Sequence, residues 1–420
     1  MAHTSPPSSA ASSSIRPASD GTAASSQAWA AFNGKGGGGA LARVLSLDDF
    51  EPLARARLPR AIYGYIAGAA ETRQSWADNR SAFADWGFVP RVLVDVSQRS
   101  QATELLGRRW ASPFGIAPMG ITALSCFEGD LALARAAQAA GVPFVISGTS
   151  LIPLERIMQA APDSWFQAYL PGEPARIDAL VDRVARAGVQ TLVVTVDIPV
   201  AGNRENNIRA GFSTPLRPSL RLAWDGINHP RWLVGTFLRT LAQGMPHFEN
   251  SFAERGAPIV SRTVDRDFSR REHLSWPHLA RIRERWKGQL VLKGVLSAED
   301  VHLARRAGVD AVVVSNHGGR QLDGAVSALR VLPEVVAAAQ GLPVMMDGGV
   351  RRGSDVLKAL ALGARCVFLG RPFNFAAAAA GQAGVAHAIA LLQAEVDRNL
   401  AMLGVSSPAA LSPQHLRSCR

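Results

Sequence analysis

The chain has 420 residues, 47% of them hydrophobic and 19% charged, and a formal net charge of +11 at pH 7. That length suits one barrel-sized domain or two ordinary ones, and the basic excess attracts anionic lipid, nucleic acid or acidic partners. Three cysteines (Cys126, Cys366, Cys419) without a Cys-x-x-Cys pair argue against a disulfide framework or a zinc site. No apolar run reaches membrane-spanning length, and the N-terminus lacks the pattern of a secretory signal.

Residues 1–44 are rich in Ser, Ala, Gly and Pro and read as a disordered low-complexity tail. The remainder, 45–420, reads as one domain. Ser46-Leu47-Asp48-Asp49-Phe50 looks like a helix start with Ser46 as cap, and a second helix covers about Pro59 to Gly68, giving an N-terminal helical extension. Eight short apolar runs follow, bounded by Gly, Pro or polar residues, and read as buried parallel strands. They are Phe114–Ala117, Phe144–Ile146, Trp165–Tyr169, Thr191–Val196, Leu290–Leu292, Ala311–Val314, Val344–Met346 and Cys366–Leu369. Helical patterns such as Gly129 to Ala140 and Ser354 to Leu362 lie between them. Eight strand–helix units predict an α/β fold, the (β/α)8 TIM barrel. Seven connections are short. The fourth carries a long insertion, about 213–275, and an insertion of that size in a compact barrel is usually a functional loop.

Barrel active sites sit at the C-terminal ends of the strands, and here almost every such end is polar or glycine-rich. The sixth run ends in Ser315-Asn316-His317-Gly318-Gly319-Arg320-Gln321-Leu322-Asp323. Its histidine can move a proton near neutral pH. Its arginine offers a planar fork that matches a carboxylate. Its glycines let backbone approach a ligand closely. The last two strands end in Asp347-Gly348-Gly349-Val350-Arg351 and Gly370-Arg371. That is where many barrels bind phosphate through backbone N–H groups and a helix N-terminus. Lysine is scarce (Lys35, Lys287, Lys293, Lys358), as is tyrosine (Tyr63, Tyr65, Tyr169), so Lys293 at the end of the fifth run stands out.

These segments, with Thr195-Val196-Asp197 and Gly370-Arg371-Pro372, resemble the FMN-dependent 2-hydroxy acid dehydrogenase and oxidase family. That family includes glycolate oxidase, L-lactate dehydrogenase and (S)-mandelate dehydrogenase. The likeness runs from about Leu47 to the C-terminus. It implies an oxidoreductase in which FMN takes electrons from an (S)-2-hydroxy acid and passes them to a quinone or similar acceptor. By the same resemblance His317 is the base and Asp197 pairs with it. Arg204 and Arg320 hold the substrate carboxylate, and Tyr65 and Tyr169 hydrogen-bond the carboxylate or hydroxyl. Lys293 lies near the flavin pyrimidine edge. Met119, Gly120, Ser147, Gln167, Thr195, Ser315, Asp347 and Gly348 contact FMN, with its phosphate among Gly349, Arg351, Gly370 and Arg371. The resemblance also implies a homo-oligomer, a tetramer, located in the cytoplasm, with no metal and no nucleic-acid partner.

Bland readings stand beside these. Asp197 could be a helix cap, Lys293 a solvated strand end, and Tyr65 mere packing. A Schiff-base aldolase using Lys293 is a rival enzyme class on the same barrel, and a catalytically silent scaffold is a third reading. The insertion carries Arg217, Arg221, Arg231 and Arg239 interleaved with Trp224, Trp232 and Phe237. This suits either an anionic membrane surface at the inner face of the cell membrane or a solvated lid. The pattern Asn228-His229-Pro230-Arg231-Trp232 looks more like the mandelate dehydrogenase branch than glycolate oxidase. Gly120 stands where the oxidases usually carry Ala, which favours a dehydrogenase over an oxygen-using oxidase. Thr149 and Ala201 are smaller than the Trp and Leu of glycolate oxidase, leaving room for a longer or aromatic side chain.

Overall fold

The computed structural model describes residues 40–419 except 214–216, 218 and 262–270. The tail expected over residues 1–44 lies outside this span up to residue 39. At its end, Ala40–Arg43 form a 3-10 turn and Val44 is buried, so the packed domain begins before residue 45. Ser46 precedes the 3-10 turn Leu47–Asp49, which leads into the helix Phe50–Arg57. The Asp49 carboxylate accepts from the backbone N–H groups of Leu45 (2.8 Å) and Ser46 (2.9 Å), anchoring this start from inside the turn.

In chain order the described strands are β1 (Trp86–Phe88), β2 (Thr103–Leu105), β3 (Arg108–Trp110), β4 (Phe114–Ile116), β5 (Val145–Ser147), β6 (Trp165–Ala168), β7 (Thr191–Thr195), β8 (Gln289–Val295), β9 (Ala311–Val314), β10 (Val344–Asp347), β11 (Cys366–Leu369) and β12 (Leu416–Ser418). The eight from β4 to β11 are parallel, in the order β4-β11-β10-β9-β8-β7-β6-β5. A parallel bridge between Ile116 and Phe144 joins the two ends and closes the barrel. All eight are the runs expected from the sequence, shifted by three residues or fewer at their ends.

Their near-continuous apolar character has a direct cause. Successive side chains point to opposite faces, and both faces are buried. Val145, Trp165, Val193, Val291, Val313, Met345 and Phe368 point into the barrel, while Phe166, Leu192, Val194, Leu292, Val314 and Leu369 pack against the outer helices. The hairpin β2–β3 adds Leu105 and Trp110 to the inner cluster and so helps fill the barrel interior. This hairpin and the β1–β12 pair were not expected from the sequence.

Three features place the site. The N-terminal helices Arg60–Ala67 and Gln74–Ser81 bring their ends to the loop after β9, where Ala70 N–H donates to the Gly319 carbonyl at 2.9 Å. A bulge between Lys293 and Val295 centres on Gly294 (φ 108°). A Cβ there would come within 2.7 Å of Asp197 Cβ, so glycine is what lets Asp197 sit against β8. Finally, the helix Arg371–Leu403 is long and apolar enough to span a membrane by composition, against the expectation of no such segment. It packs on the helices Phe50–Arg57 and Gly129–Ala140, its apolar residues are largely buried, and its backbone breaks at Ala380–Gly381, so it is a core helix.

Candidate active site

The C-terminal ends of the barrel strands surround a cavity of about 640 Å³, within the range for a cofactor or substrate site. Tyr65, Tyr169, Arg204, His317 and Arg320 line one part of it. Gly348, Gly349, Arg351, Gly370 and Arg371 line another, and Met119, Gly120, Thr195, Lys293 and Asp347 lie between. Asp197, Ser147, Gln167 and Ser315 stand just behind the wall. The structure therefore gathers the residues named from the sequence at one rim, with four of them outside the lining.

His317 has φ +57°, a left-handed conformation uncommon for a residue with a Cβ. It is held by its own N–H donating to Ser315 Oγ (3.0 Å) and by Nδ1 donating to Asp197 Oδ1 (3.0 Å). That contact makes Nδ1 the protonated nitrogen and leaves Nε2 as the basic one. Burial pulls the His317 pKa below its ordinary value, aided by Lys293 and Arg204, with Asp197 only partly opposing. The ring is thus neutral at pH 7, the state a base needs. For Asp197, burial works against the carboxylate, but His317 and Lys293 outweigh it and hold its pKa below the usual range.

Beneath them lies a buried polar triad. Lys293 Nζ sits 2.9 Å from Asp347 Oδ2 and donates to Ser315 Oγ at 2.9 Å, and Ser315 Oγ donates to Asp347 Oδ1 at 2.6 Å. Burial alone would lower the Lys293 pKa, but Asp347 and Asp197 reverse that and raise it. Lys293 is therefore an ammonium group. A Schiff-base aldolase needs a neutral amine there, which the ion pair with Asp347 disfavours.

Arginines crowd the cavity. Burial, followed by Arg204, pushes the Arg320 pKa down to about 10. Burial together with Arg320, Arg351 and Arg204 lowers that of Arg371 well below its ordinary value. Like charges gathered in a poorly solvated cleft are costly until an anion joins them. The Tyr169 pKa is pushed up to about 12, by burial first and then by Asp197, so its phenol stays protonated and can donate.

A sequence model of the FMN-dependent dehydrogenase family matches residues 54–418. The chain belongs to the FMN-dependent dehydrogenase family. It is 41% identical over 382 residues to the (S)-mandelate dehydrogenase of Pseudomonas putida, covering 89% of this chain and 94% of that one. It is 39% identical to a putative L-lactate dehydrogenase of Mycobacterium tuberculosis strain H37Rv, covering 90% and 91%. A crystal structure of the monotopic membrane protein (S)-mandelate dehydrogenase superposes with a TM-score of 0.82 at 39% identity, covering 90% of this chain and all of that one. A crystal structure of mandelate oxidase with (S)-2-phenylpropionate superposes with a TM-score of 0.74 at 36% identity, covering 89% and 98%.

The residues of this FMN-dependent dehydrogenase fit the cofactor. Gln167 Nε2, Thr195 Oγ1 and Arg351 Nη1 are buried polar atoms without a hydrogen-bond partner among the described residues. The first two stand at the ends of neighbouring strands, where a polar ring edge would satisfy them. Arg351 lines the same cavity as Gly349 and Gly370, where a phosphate would satisfy Nη1. Ser147 Oγ also bonds Thr149 Oγ1 (3.0 Å). The Arg371 guanidinium donates to the carbonyls of Gly68 (2.8 Å), Gly318 (3.0 Å) and Ile66 (3.3 Å). The backbone of Arg371 opens a helix at the same cavity.

Sequence reasoning missed Arg271, which lines the cavity and lies over the Tyr169 ring at 4.8 Å. Nothing singled it out among the many arginines of the insertion. It also missed Phe212, whose ring packs 4.5 Å from that of Tyr65. Two aromatics assigned to a surface turn inward: Trp232 is buried with its Nε1 donating to Leu124 O (2.7 Å), and the half-buried Phe237 stacks on it.

Proposed function

We propose that this chain oxidises (S)-2-hydroxy acids of the mandelate or lactate type to 2-oxo acids. The observation that carries the reading is a neutral His317, backed by Asp197, facing one cavity with Arg204 and Arg320. Arg204 and Arg320 draw in the carboxylate and fix the α-carbon. Tyr65 and Tyr169 donate phenolic hydrogens to the carboxylate or hydroxyl. His317 Nε2 takes a proton from the substrate, and Asp197 stabilises the imidazolium that results. FMN, held by Gln167, Thr195, Lys293, Gly349, Arg351 and Gly370, would accept the two electrons. Lys293 would supply a fixed positive charge that favours taking up electrons at the bound cofactor.

Thr149 and Ala201 both line the cavity, which supports an aromatic or extended substrate side chain. Gly120 abuts Thr149, and a Cβ there would meet Thr149 Oγ1 at 2.1 Å. With relatives named as dehydrogenases, this favours a quinone over oxygen as acceptor.

The insertion suits a membrane surface better than a simple lid. On the helix Leu220–Ile227, Leu220, Trp224 and Ile227 are 92%, 67% and 58% exposed at a helical spacing. Val234, Leu238, Leu241 and Met245 extend the exposed apolar stripe, with Arg217, Arg221 and Arg231 exposed beside it. An apolar face edged by arginine fits an anionic bilayer. The same reading places the protein at the inner face of the cell membrane and as a homo-oligomer, for which the exposed Val92 and Leu93 offer contact surface.

The test is the visible spectrum of the purified protein, mixed without oxygen with glycolate, L-lactate and (S)-mandelate in turn, then with a quinone or oxygen. The reading expects a yellow protein bleached fastest by (S)-mandelate or L-lactate and recoloured faster by quinone. A colourless protein that cannot take up FMN would sink it.

A further inference from the structure

We propose that the Arg371 side chain is a positioning residue for His317 and Arg320, not a ligand of the cofactor phosphate; this rests on the oxidoreductase function proposed above. Arg371 opens the helix after β11, so its place in the chain points to the phosphate. Its side chain goes elsewhere. One terminal nitrogen donates to the carbonyls of Gly68 and Gly318, and Nε donates to that of Ile66.

Gly318 follows the base directly. His317, Gly318 and Gly319 have φ of 57°, 64° and 72°, three successive left-handed residues. The two glycines adopt this conformation freely, but His317 keeps it only where its surroundings hold it there. Ser315 Oγ holds its first N–H and Asn316 Oδ1 its third, at 3.0 and 3.1 Å. Both belong to the same loop. Other elements tie the loop at His317 through Asp197, at Asn316 through Asn79 and at Gly319 through Ala70 N–H, and Arg371 adds the tie at the Gly318 carbonyl between them.

The other ends of that tie matter equally. Ile66 O and Gly68 O also accept from Arg320 Nη1, at 3.1 and 2.8 Å. Arg371 and Arg320 thus share two carbonyls at the C-terminal end of the helix Arg60–Ala67, where the helix dipole is negative and favours cations. Through this shared node Arg371 sets the base and the carboxylate fork relative to each other. A planar guanidinium can reach three carbonyls in different directions at once; an ammonium on a longer, softer stem cannot hold the same geometry. The phosphate retains Arg351, whose Nη1 has no partner among the described residues, and the backbone at the helix start.

The experiment uses the full-length FMN-loaded protein with Arg371→Lys and Arg371→Met. Two quantities are read: FMN affinity by fluorescence titration, and the anaerobic rate of flavin bleaching by (S)-mandelate and by its α-deuterated form. Positioning predicts near-normal FMN affinity in both variants. It predicts a bleaching rate roughly 10²-fold lower, the order expected when a reacting group is misplaced by about 1 Å, with a larger deuterium effect. A phosphate ligand predicts the reverse: weak FMN binding in Arg371→Met, partial retention in Arg371→Lys, and normal bleaching of whatever holds FMN. If Arg371→Met does not fold, Arg371→Lys decides, because it keeps the charge and loses the fork; a normal bleaching rate there overturns the proposal. Failure of the parent reading shows separately, as wild-type protein that binds FMN and is bleached by no 2-hydroxy acid, and weak FMN binding by Arg371→Met would still overturn the assignment made here.

Discussion

Arg204 donates from Nε to the backbone carbonyl of Arg320 at 3.0 Å. The two guanidinium groups proposed to hold the substrate carboxylate therefore come from loops after different strands, β7 and β9, yet are fixed to each other. Arg320 is in turn committed to Tyr65 O (2.9 Å), Ile66 O and Gly68 O. Arg204 keeps its terminal nitrogens for a ligand. Arg204→Met should raise KM for the hydroxy acid roughly 10- to 100-fold, the size of one lost charge-assisted hydrogen bond of about 1.5–3 kcal/mol. Arg320→Met should also lower the melting temperature, because it strips donors from three carbonyls. Steady-state kinetics and thermal melts separate the two.

The pH profile follows from His317. Its pKa lies below the ordinary value of 6.5 in the folded protein, so the base is deprotonated at neutral pH. kcat/KM should rise with pH through an acid limb below 6.5 and be flat near pH 7. Asp197→Asn removes the influence that raises the ring's pKa, so the limb should move to lower pH while the plateau falls by about 10²-fold or more. A plateau as high as wild type would show that Asp197 does not support the base.

Gly349 has φ +82°, and a Cβ on it would lie 1.9 Å from the Asn79 carbonyl oxygen. Gly349→Ala should release FMN and lower stability by about 1–3 kcal/mol through backbone strain. Absorbance at the flavin band after gel filtration and a thermal melt check both parts.

Asp130 is buried at the start of the helix Gly129–Ala140, and burial pushes its pKa up to about 6. A raised folded-state value favours the protonated form, so its stabilising contribution is full below pH 3.8 and is lost as pH rises through about 6. Asp130→Asn should leave stability nearly unchanged at about pH 3.5 and raise it at about pH 8. Denaturant melts at the two pH values test this; equal effects at both would contradict it.

The insertion's apolar stripe yields a fractionation prediction. Leu220→Glu with Trp224→Glu places two carboxylates on an exposed face, so folding and activity on soluble substrate should persist. Sedimentation with anionic vesicles should drop sharply. Unchanged sedimentation would return the insertion to the role of a lid.

The parts that the sequence made legible share a physical origin. The eight barrel strands are buried on both faces, so each is an uninterrupted apolar run, as in Ala311–Val314. The strands β1, β2, β3 and β12 are three residues long with half-buried or exposed positions, too short for a period to register. His317, Arg320 and Lys293 were readable because chemistry-bearing residues ended buried strands. Asp197 was ambiguous because a capping role fits the same position; the Gly294 bulge that brings it to His317 is visible only in three dimensions. Side-chain direction was the least legible property. Trp232 looked like a surface aromatic and is interior, and the reach of the Arg371 side chain to three backbone carbonyls had no signal in the sequence.

The central claim is that His317 removes a proton from a 2-hydroxy acid held in this cavity. Its most direct test is anaerobic stopped-flow bleaching of the FMN-loaded wild type and His317→Gln by (S)-mandelate. The account predicts complete bleaching of the wild type and, in the variant, substrate binding with a rate lower by roughly 10²- to 10⁴-fold. Equal rates in the two proteins, or no bleaching of the wild type by any 2-hydroxy acid, would contradict it.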